Sequence, residues 1–408
     1  MGSEIRKMKP KDTNMAIEGF KVLNLAQDRG LYVGKLLADL GADVIKIERP
    51  QGDASRGMAP FKDDIPGPEA SLYFLSFNTN QQGITLDIQT ATGQDIFKQL
   101  IRRADIVVED FQPGFMESLG LGYTDLCVIN PAIVMTSVTG FGKNGPYSAY
   151  KAPDIVSFAM GGLMFMSGDP SKAPVVSPCE QAYHSASVFA CFSTLAALYH
   201  RQQTGIGQLV EVSAQESLAM QEHLILRYGL EKDIVRRWGS QHTSAPARIY
   251  PCKNGAVYLF ASRLGHWKSL LEVMGNPETL MDDVWEENRF RRLNIDVIDP
   301  FIMEFTMQHT KMELTEMCQA KGIPCTPVNT PEEFVNSPHT RSRGFITEAE
   351  HPVIGKHRYL GPPYKLSETP CRIRRPAPLL GQHNEEIYCR TLGYTNEQLI
   401  ILKAEGVI

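Results

Sequence analysis

The chain has 408 residues, of which 43% are hydrophobic and 21% charged, and a net charge of −5. That length buries a large core and accommodates two or three domains. The acidic balance excludes a general attraction to nucleic acid, while leaving room for a local basic pocket that holds a phosphorylated cofactor. The eight cysteines (127, 179, 191, 252, 318, 325, 371 and 389) are scattered, with no C-x-x-C pair. The N-terminal ten residues are polar and lack an apolar targeting core, so reduced thiols and a cytoplasmic location are expected. Arg6 stands where an N-myristoylation signal requires Ser or Thr, and the longest apolar run, Ile155 to Met166, is about half a membrane span.

Residues 20–25, Phe-Lys-Val-Leu-Asn-Leu, alternate as a strand does and end in the polar turn Gln27-Asp28-Arg29-Gly30. Leu31, Leu36, Leu37 and Leu40 then mark one side of a helix, with Gly41 placed to cap it. Asp43 to Glu48 make a second strand, so this stretch is a βαβ unit with a right-handed crossover. A helix near 91–103 precedes a strand at Ile106–Glu109, and Ile133–Ser137 gives another. Alternating elements of this kind define an α/β domain around a doubly wound parallel sheet. The turn at 26–30 lacks a G-x-G-x-x-G spacing, which leaves a dinucleotide site with little support.

Residues 184–203 read as a long, largely apolar helix that ends at Gly205 and is expected to be buried. Beyond about residue 225 the texture changes. Residues 250–260 read as strand, Lys-Asn-Gly turn and strand, with helices near 264–274 and 311–321. The expected organisation is a large α/β domain beginning with 1–227, a smaller α+β domain at 228–330, and a connector with a C-terminal return at 331–408. The Pro-rich segment 352–378 is expected to run extended over the first domain.

Several motifs occur in a telling order. They are Leu37 to Pro50 (LADLGADVIKIERP), Gly52-Asp53 with Arg56, and Ala104 to Gly114 (ADIVVEDFQPG). Gly140-Phe-Gly with Gly145-Pro-Tyr147, Thr204 to Gln208 (TGIGQ) and Arg375 to His383 (RPAPLLGQH) follow. Over nearly the whole chain this series resembles the family III (CaiB/BaiF-type) CoA-transferases. The resemblance implies a Rossmann-like large domain and a small domain, with two chains interlocked like links. It also implies coenzyme A at the strand ends and a substrate pocket near the other subunit's small domain. In such enzymes an aspartate attacks an acyl-CoA thioester to give a mixed anhydride, and the freed thiolate forms an aspartyl thioester. The acceptor acid then takes the CoA. This is covalent catalysis that divides one hard exchange into easier ones.

Counted from Pro174 or back from Thr204, the family's aspartate position falls on Tyr183. A phenol has a reference pKa of about 10 and no carbonyl carbon on which to carry CoA. Other positions depart in the same direction. The Ala-Gly-Pro turn that packs on CoA is Asp28-Arg29-Gly30, a lysine after Asn78-Thr79-Asn80 is Gln81, an asparagine is Asp110, and a CoA-binding arginine is Ser118. Arg49 and Phe111 are kept. Charge-assisted phosphate contacts are among the stronger polar bonds, so their joint loss implies a site that no longer binds CoA productively.

Among other candidates, Asp154 is expected to cap a helix. Glu180 is a candidate displaced carboxylate, although three residues of offset exceed the roughly 1 Å that near-attack geometry tolerates. Cys179 is expected to be an inert packing thiol, and His184 and His200 to be core histidines. His242 lies in a loop that the family uses near the substrate entrance. No histidine has metal-ligand spacing, and no metal is expected. The resemblance therefore implies a non-catalytic subunit beside a catalytic paralogue of similar size that binds CoA, with succinyl-CoA as donor and an aromatic succinate such as benzylsuccinate as acceptor. The alternative is an active homodimer using Glu180 or another carboxylate. A racemase is rejected because Pro153 and Tyr183 replace both proton-transfer groups, and a non-enzymatic acyl-CoA-binding protein is disfavoured by the lost CoA contacts.

Overall fold

The computed structural model describes residues 15–221, 229, 230, 237 and 244–408. His242 lies outside the described residues. The chain divides into two compact units, one of 1–162, 177–222 and 339–408, the other of 163–176 and 223–338.

The first unit is built on six parallel strands: β1 (Lys21–Asn24), β2 (Asp43–Glu48), β3 (Gln82–Thr85), β4 (Ile106–Glu109), β5 (Val134–Thr139) and β6 (Leu209–Ser213). Their spatial order is β3-β2-β1-β4-β5-β6, a doubly wound sheet whose strand order reverses between β1 and β4. Helices cover both faces, so the strands are buried on both sides and successive residues enter different cores. Leu23, Ile45, Ile47 and Val107 pack on one face with α3 (Ala91–Ile101) and the C-terminal helix Asn396–Ala404. The opposite face joins Val22, Val44, Ile106 and Val108 to α1 (Leu31–Asp39) and to the long helix Gln181–Thr204.

Between them in the chain lie α2 (Leu72–Phe77), α4 (Phe115–Ser118), α5 (Tyr123–Ile129) and α6 (Asp154–Met160), then the short α7 (Leu163–Met166) of the second unit. The long helix is accordingly α8. Ala182, Ala186 and Ala190 recur every four residues on its inner face and let it lie close on the sheet, and Gly205 at φ +78 ends it in the left-handed conformation that glycine adopts cheaply. The expectation that α8 is buried holds for that face alone. On the other, Phe192 is 70% and Tyr199 67% exposed, beside exposed Val188.

The motif around β2 forms a buried ionic cluster. Arg56 pairs with Glu48 at 2.6 Å and Glu69 at 2.8 Å and lies 3.8 Å over the Phe74 ring, while Lys46 pairs with Asp53 at 2.5 Å. The C-terminal return is tied to the same place, where the Arg56 guanidinium donates to the carbonyl of Pro378 and the amide of Leu380 to Glu69. His383 hydrogen-bonds both backbone groups of Gly83 and so covers the open edge of β3. Part of the Pro-rich segment is not an extended connector. Ile346–His351 and Gly355–Leu360 form an antiparallel ribbon, whose pairing the polar alternation Thr-Glu-Ala-Glu against Lys-His-Arg-Tyr did not announce.

The second unit carries the three-stranded antiparallel sheet β7 (Ala247–Cys252), β8 (Gly255–Phe260) and β9 (Cys325–Pro327). Its core gathers Trp267, Leu270, Trp285, Ile298, Ile302 and Leu314. A parallel six-stranded sheet with a smaller α+β unit is the expected fold class. All eight cysteines are free. Among the described residues no helix is long and apolar enough to cross a membrane.

Candidate functional site

The start of α8, the turn after β1 and the end of β4 meet where the strand order reverses. Gly34 lets α1 lie close against the end of β1: a Cβ there would stand 2.1 Å from the Asn24 side chain. That side chain donates to Gln81 at 2.9 Å, and Gln81 donates onward to the Phe77 carbonyl and Asn78. Gln81 is thus fully committed to a buried polar knot under α1.

Tyr183 is 4% exposed. Its hydroxyl donates to the carbonyl of Ala152 at 2.8 Å, and its amide donates to Asp154 at 3.0 Å. Asp154 therefore does cap a helix, but the helix is α8 rather than its own. Burial raises the Tyr183 phenol well above its ordinary range, and the facing Asp28 adds to the effect. Asp28 itself is pushed up to about 6, first by burial and then by the charge of Asp110, with Arg29 opposing.

Asp110 occupies the turn directly. Its carboxylate accepts from the amides of Gln27 (3.0 and 3.1 Å), Asp28 (2.7 Å) and Gly30 (3.0 Å). Arg29 donates to the Asp110 carbonyl at 2.9 Å, and its own carbonyl accepts from Ser187 of α8. Arg49 and Phe111 line a crevice at the strand ends whose cavity is only about 10 Å³. Arg49 is exposed, whereas Phe111 is half-buried with its ring 4.7 Å from that of Phe115. Ser118 is exposed and bonds back to the carbonyl of Phe115.

A separate cavity of about 520 Å³ lies on the flank of α1. Tyr32, Lys35, Leu36 and Asp39, one face of that helix, form a wall, and Tyr73 and Phe77 of α2 form another. Cys179, Glu180 and His184 reach it from the start of α8. The His184 ring lies 5.6 Å from Tyr32 and 5.1 Å from Phe77, and burial lowers its pKa, so it is neutral at pH 7. Burial raises the Glu180 carboxyl, with Asp154 adding to the shift. Lys35 is buried against Asp39 (2.9 Å) and Thr79 (2.7 Å) and offers no free charge. The size and aromatic lining are those of a small-molecule site. His200, by contrast, is exposed on α8 rather than a core residue. Among the described residues no cluster of His, Cys, Asp or Glu could hold a metal ion.

Sequence reasoning marked Tyr183, Glu180 and Asp110 but missed Asp28 as a perturbed acid and Tyr32, Tyr73 and Phe77 as cavity walls. The spacing of Tyr32, Lys35, Leu36 and Asp39 was the available signal. Tyr73 and Phe77 gave none, because a six-residue helix has no clear period.

The doubly wound sheet, with its strand order reversing between β1 and β4, and the smaller α+β unit make up a CaiB/BaiF-like fold. Residues 17–384 match the model of CoA-transferase family III, and the chain belongs to that family. It is 34% identical to the formyl-CoA:oxalate CoA-transferase of Streptomyces coelicolor, over 97% of this chain and all of that protein. With the succinyl-CoA:(R)-benzylsuccinate CoA-transferase subunit BbsE of Thauera aromatica it shares 33% identity, over 90% of this chain and 92% of that one. A CaiB/BaiF family protein from Brucella suis superposes with a TM-score of 0.85 at 28% identity, covering 93% of this chain and all of the other.

Proposed function

We propose that this chain is the non-catalytic subunit of a heteromeric CoA-transferase that moves CoA from succinyl-CoA to an aromatic succinate such as benzylsuccinate. A paralogous partner of similar size supplies the aspartate and binds CoA. The observation that carries the reading is Tyr183. At the position that corresponds to the family's nucleophile stands a buried phenol whose hydroxyl is committed to the Ala152 carbonyl, with its ionisation opposed by burial. The phenol has no carbonyl carbon and cannot hold an acyl group or CoA as an exchangeable carboxyl derivative. The aromatic walls of the cavity support an acceptor acid that carries an aromatic ring, and the likeness to a protein named as a subunit supports a heteromer. Exposed Val188, Phe192 and Tyr199 on α8 give the chain apolar surface of the kind that permanent subunit contacts cover.

The test is native mass spectrometry of the complex purified from the source organism, followed by assay of the separated and recombined chains. A second chain of similar mass, with transferase activity only in the pair, is the expected result. A homodimer of this chain alone that transfers CoA from succinyl-CoA overturns the reading.

One observation favours a second reading, an active homodimer: Glu180 lines the cavity with a carboxyl whose pKa is raised. In that case Glu180→Gln lowers the homodimer's kcat by at least about a thousandfold. In the heteromer the same substitution leaves kcat within about twofold.

A further inference from the structure

We propose that Asp110 is the specificity determinant that closes this chain's strand-end crevice to phosphorylated ligands, because its own carboxylate fills the anion-binding turn there. The inference stands on the fold and on hydrogen bonds, and either it or the subunit role above can fail without the other.

In a doubly wound sheet the ligand crevice opens where the strand order reverses, beyond the carboxyl ends of the strands. Here that place lies between β1 and β4. Successive backbone amides aimed at one point form a concavity that binds anions, and the dipole of the helix that follows favours negative charge at its start. The turn leading into α1 is such a concavity, with the amides of Gln27, Asp28 and Gly30 converging within 2.7–3.1 Å on one carboxylate. That carboxylate reaches across the crevice from the residue following β4, and only 5% of Asp110 remains exposed.

Two further observations point the same way. The cavity beside the turn, lined by Arg49 and Phe111, is about 10 Å³, roughly the room of one water. Arg29, the cation beside the turn, donates to the Asp110 carbonyl at 2.9 Å and is drawn into the closure. An entering phosphate would have to break several charge-assisted hydrogen bonds. The displaced carboxylate and neighbouring Asp28 would then repel it across a poorly solvated crevice.

Asp110→Asn removes the charge at nearly constant size, and Asp110→Ala frees all three amides. The full-length wild type, Asp110→Asn and Asp110→Ala are titrated with coenzyme A by isothermal calorimetry. Both variants are expected to bind CoA at least about tenfold more tightly than the wild type, Asp110→Ala at least as tightly as Asp110→Asn. Equal affinity in all three overturns the proposal. Because Asp110 also holds the turn, a variant could fail to fold, so the wild type provides a second measurement. Millimolar CoA should leave amide hydrogen exchange across residues 25–31 unchanged, and new protection there overturns the proposal. Subunit composition is read by native mass spectrometry and is untouched by either result.

Discussion

Tyr183 and Asp110 are both buried, and each is held by neighbours that its own side chain selects. The phenol reaches the Ala152 carbonyl, and the carboxylate collects the amides of the turn. Next to Asp110, Glu109 accepts from the amide of Phe111 at 2.8 Å and is only 2% exposed. Burial pushes its carboxyl up to about 7. The sign follows from linkage, since the folded state holds the proton more tightly than the unfolded chain, whose value is near 4.5. The stability that this proton confers is complete below pH ~4.5 and is lost as pH rises through about 7. Glu109→Gln keeps the acceptor and removes the charge. It should therefore stabilise the protein by up to about 3 kcal/mol at pH 8 and by little at pH 4.5. Urea unfolding at the two pH values checks this, and a gain independent of pH would show that Glu109 is not the titrating group.

At the level of elements, the motifs that carry the family resemblance are largely scaffold. Lys46, Glu48, Asp53 and Arg56 neutralise one another beneath the C-terminal return instead of facing a ligand. Arg56→Met should cost about 3–5 kcal/mol, because Glu48 is left buried and unpaired. The double variant Glu48→Gln, Arg56→Met should recover most of that loss in a denaturant titration, and an additive double variant would rule out coupling. Long or strongly patterned elements were legible in the sequence. The β2 strand falls at 43–48 as expected, and α3 and α8 lie within a few residues of their expected bounds. The β3 strand, Gln82-Gly-Ile-Thr, was not legible: it has one large apolar residue, and it is held by main-chain pairing to β2 and by His383. Tyr183 and Asp110 stand out in the sequence against the pattern it resembles, and the structure buries both with hydrogen-bond partners. The cavity was not legible, because the walls come from α1, α2 and the 358–363 segment, which only tertiary packing brings together.

At the scale of the whole molecule, the two units hold separate hydrophobic cores. The sheet of the first is packed by aliphatic residues on both faces. The core of the second is organised around Trp267 and Trp285, each less than 8% exposed. Arg291 reinforces that core, with its guanidinium 5.1 Å from the Trp267 ring and donating to the carbonyls of Ala245, Ser262 and Trp285. The chain's tryptophans all fall within the second unit's span, and none within the first. Tryptophan fluorescence therefore reads the second unit, while far-UV circular dichroism, weighted by the larger helical content of the first, reads both. Units with independent cores need not unfold together, and two-state behaviour fails when they do not. Urea denaturation of the full chain followed by the two probes should give midpoints that differ. Superimposable curves would mean that the units are energetically coupled, in which case a substitution in one core would shift the transition of both. With separate transitions, Arg291→Met should move the fluorescence midpoint to lower urea and leave the main dichroism transition in place. That outcome would make the smaller unit a module whose stability can be altered without disturbing the sheet that positions Tyr183 and Asp110.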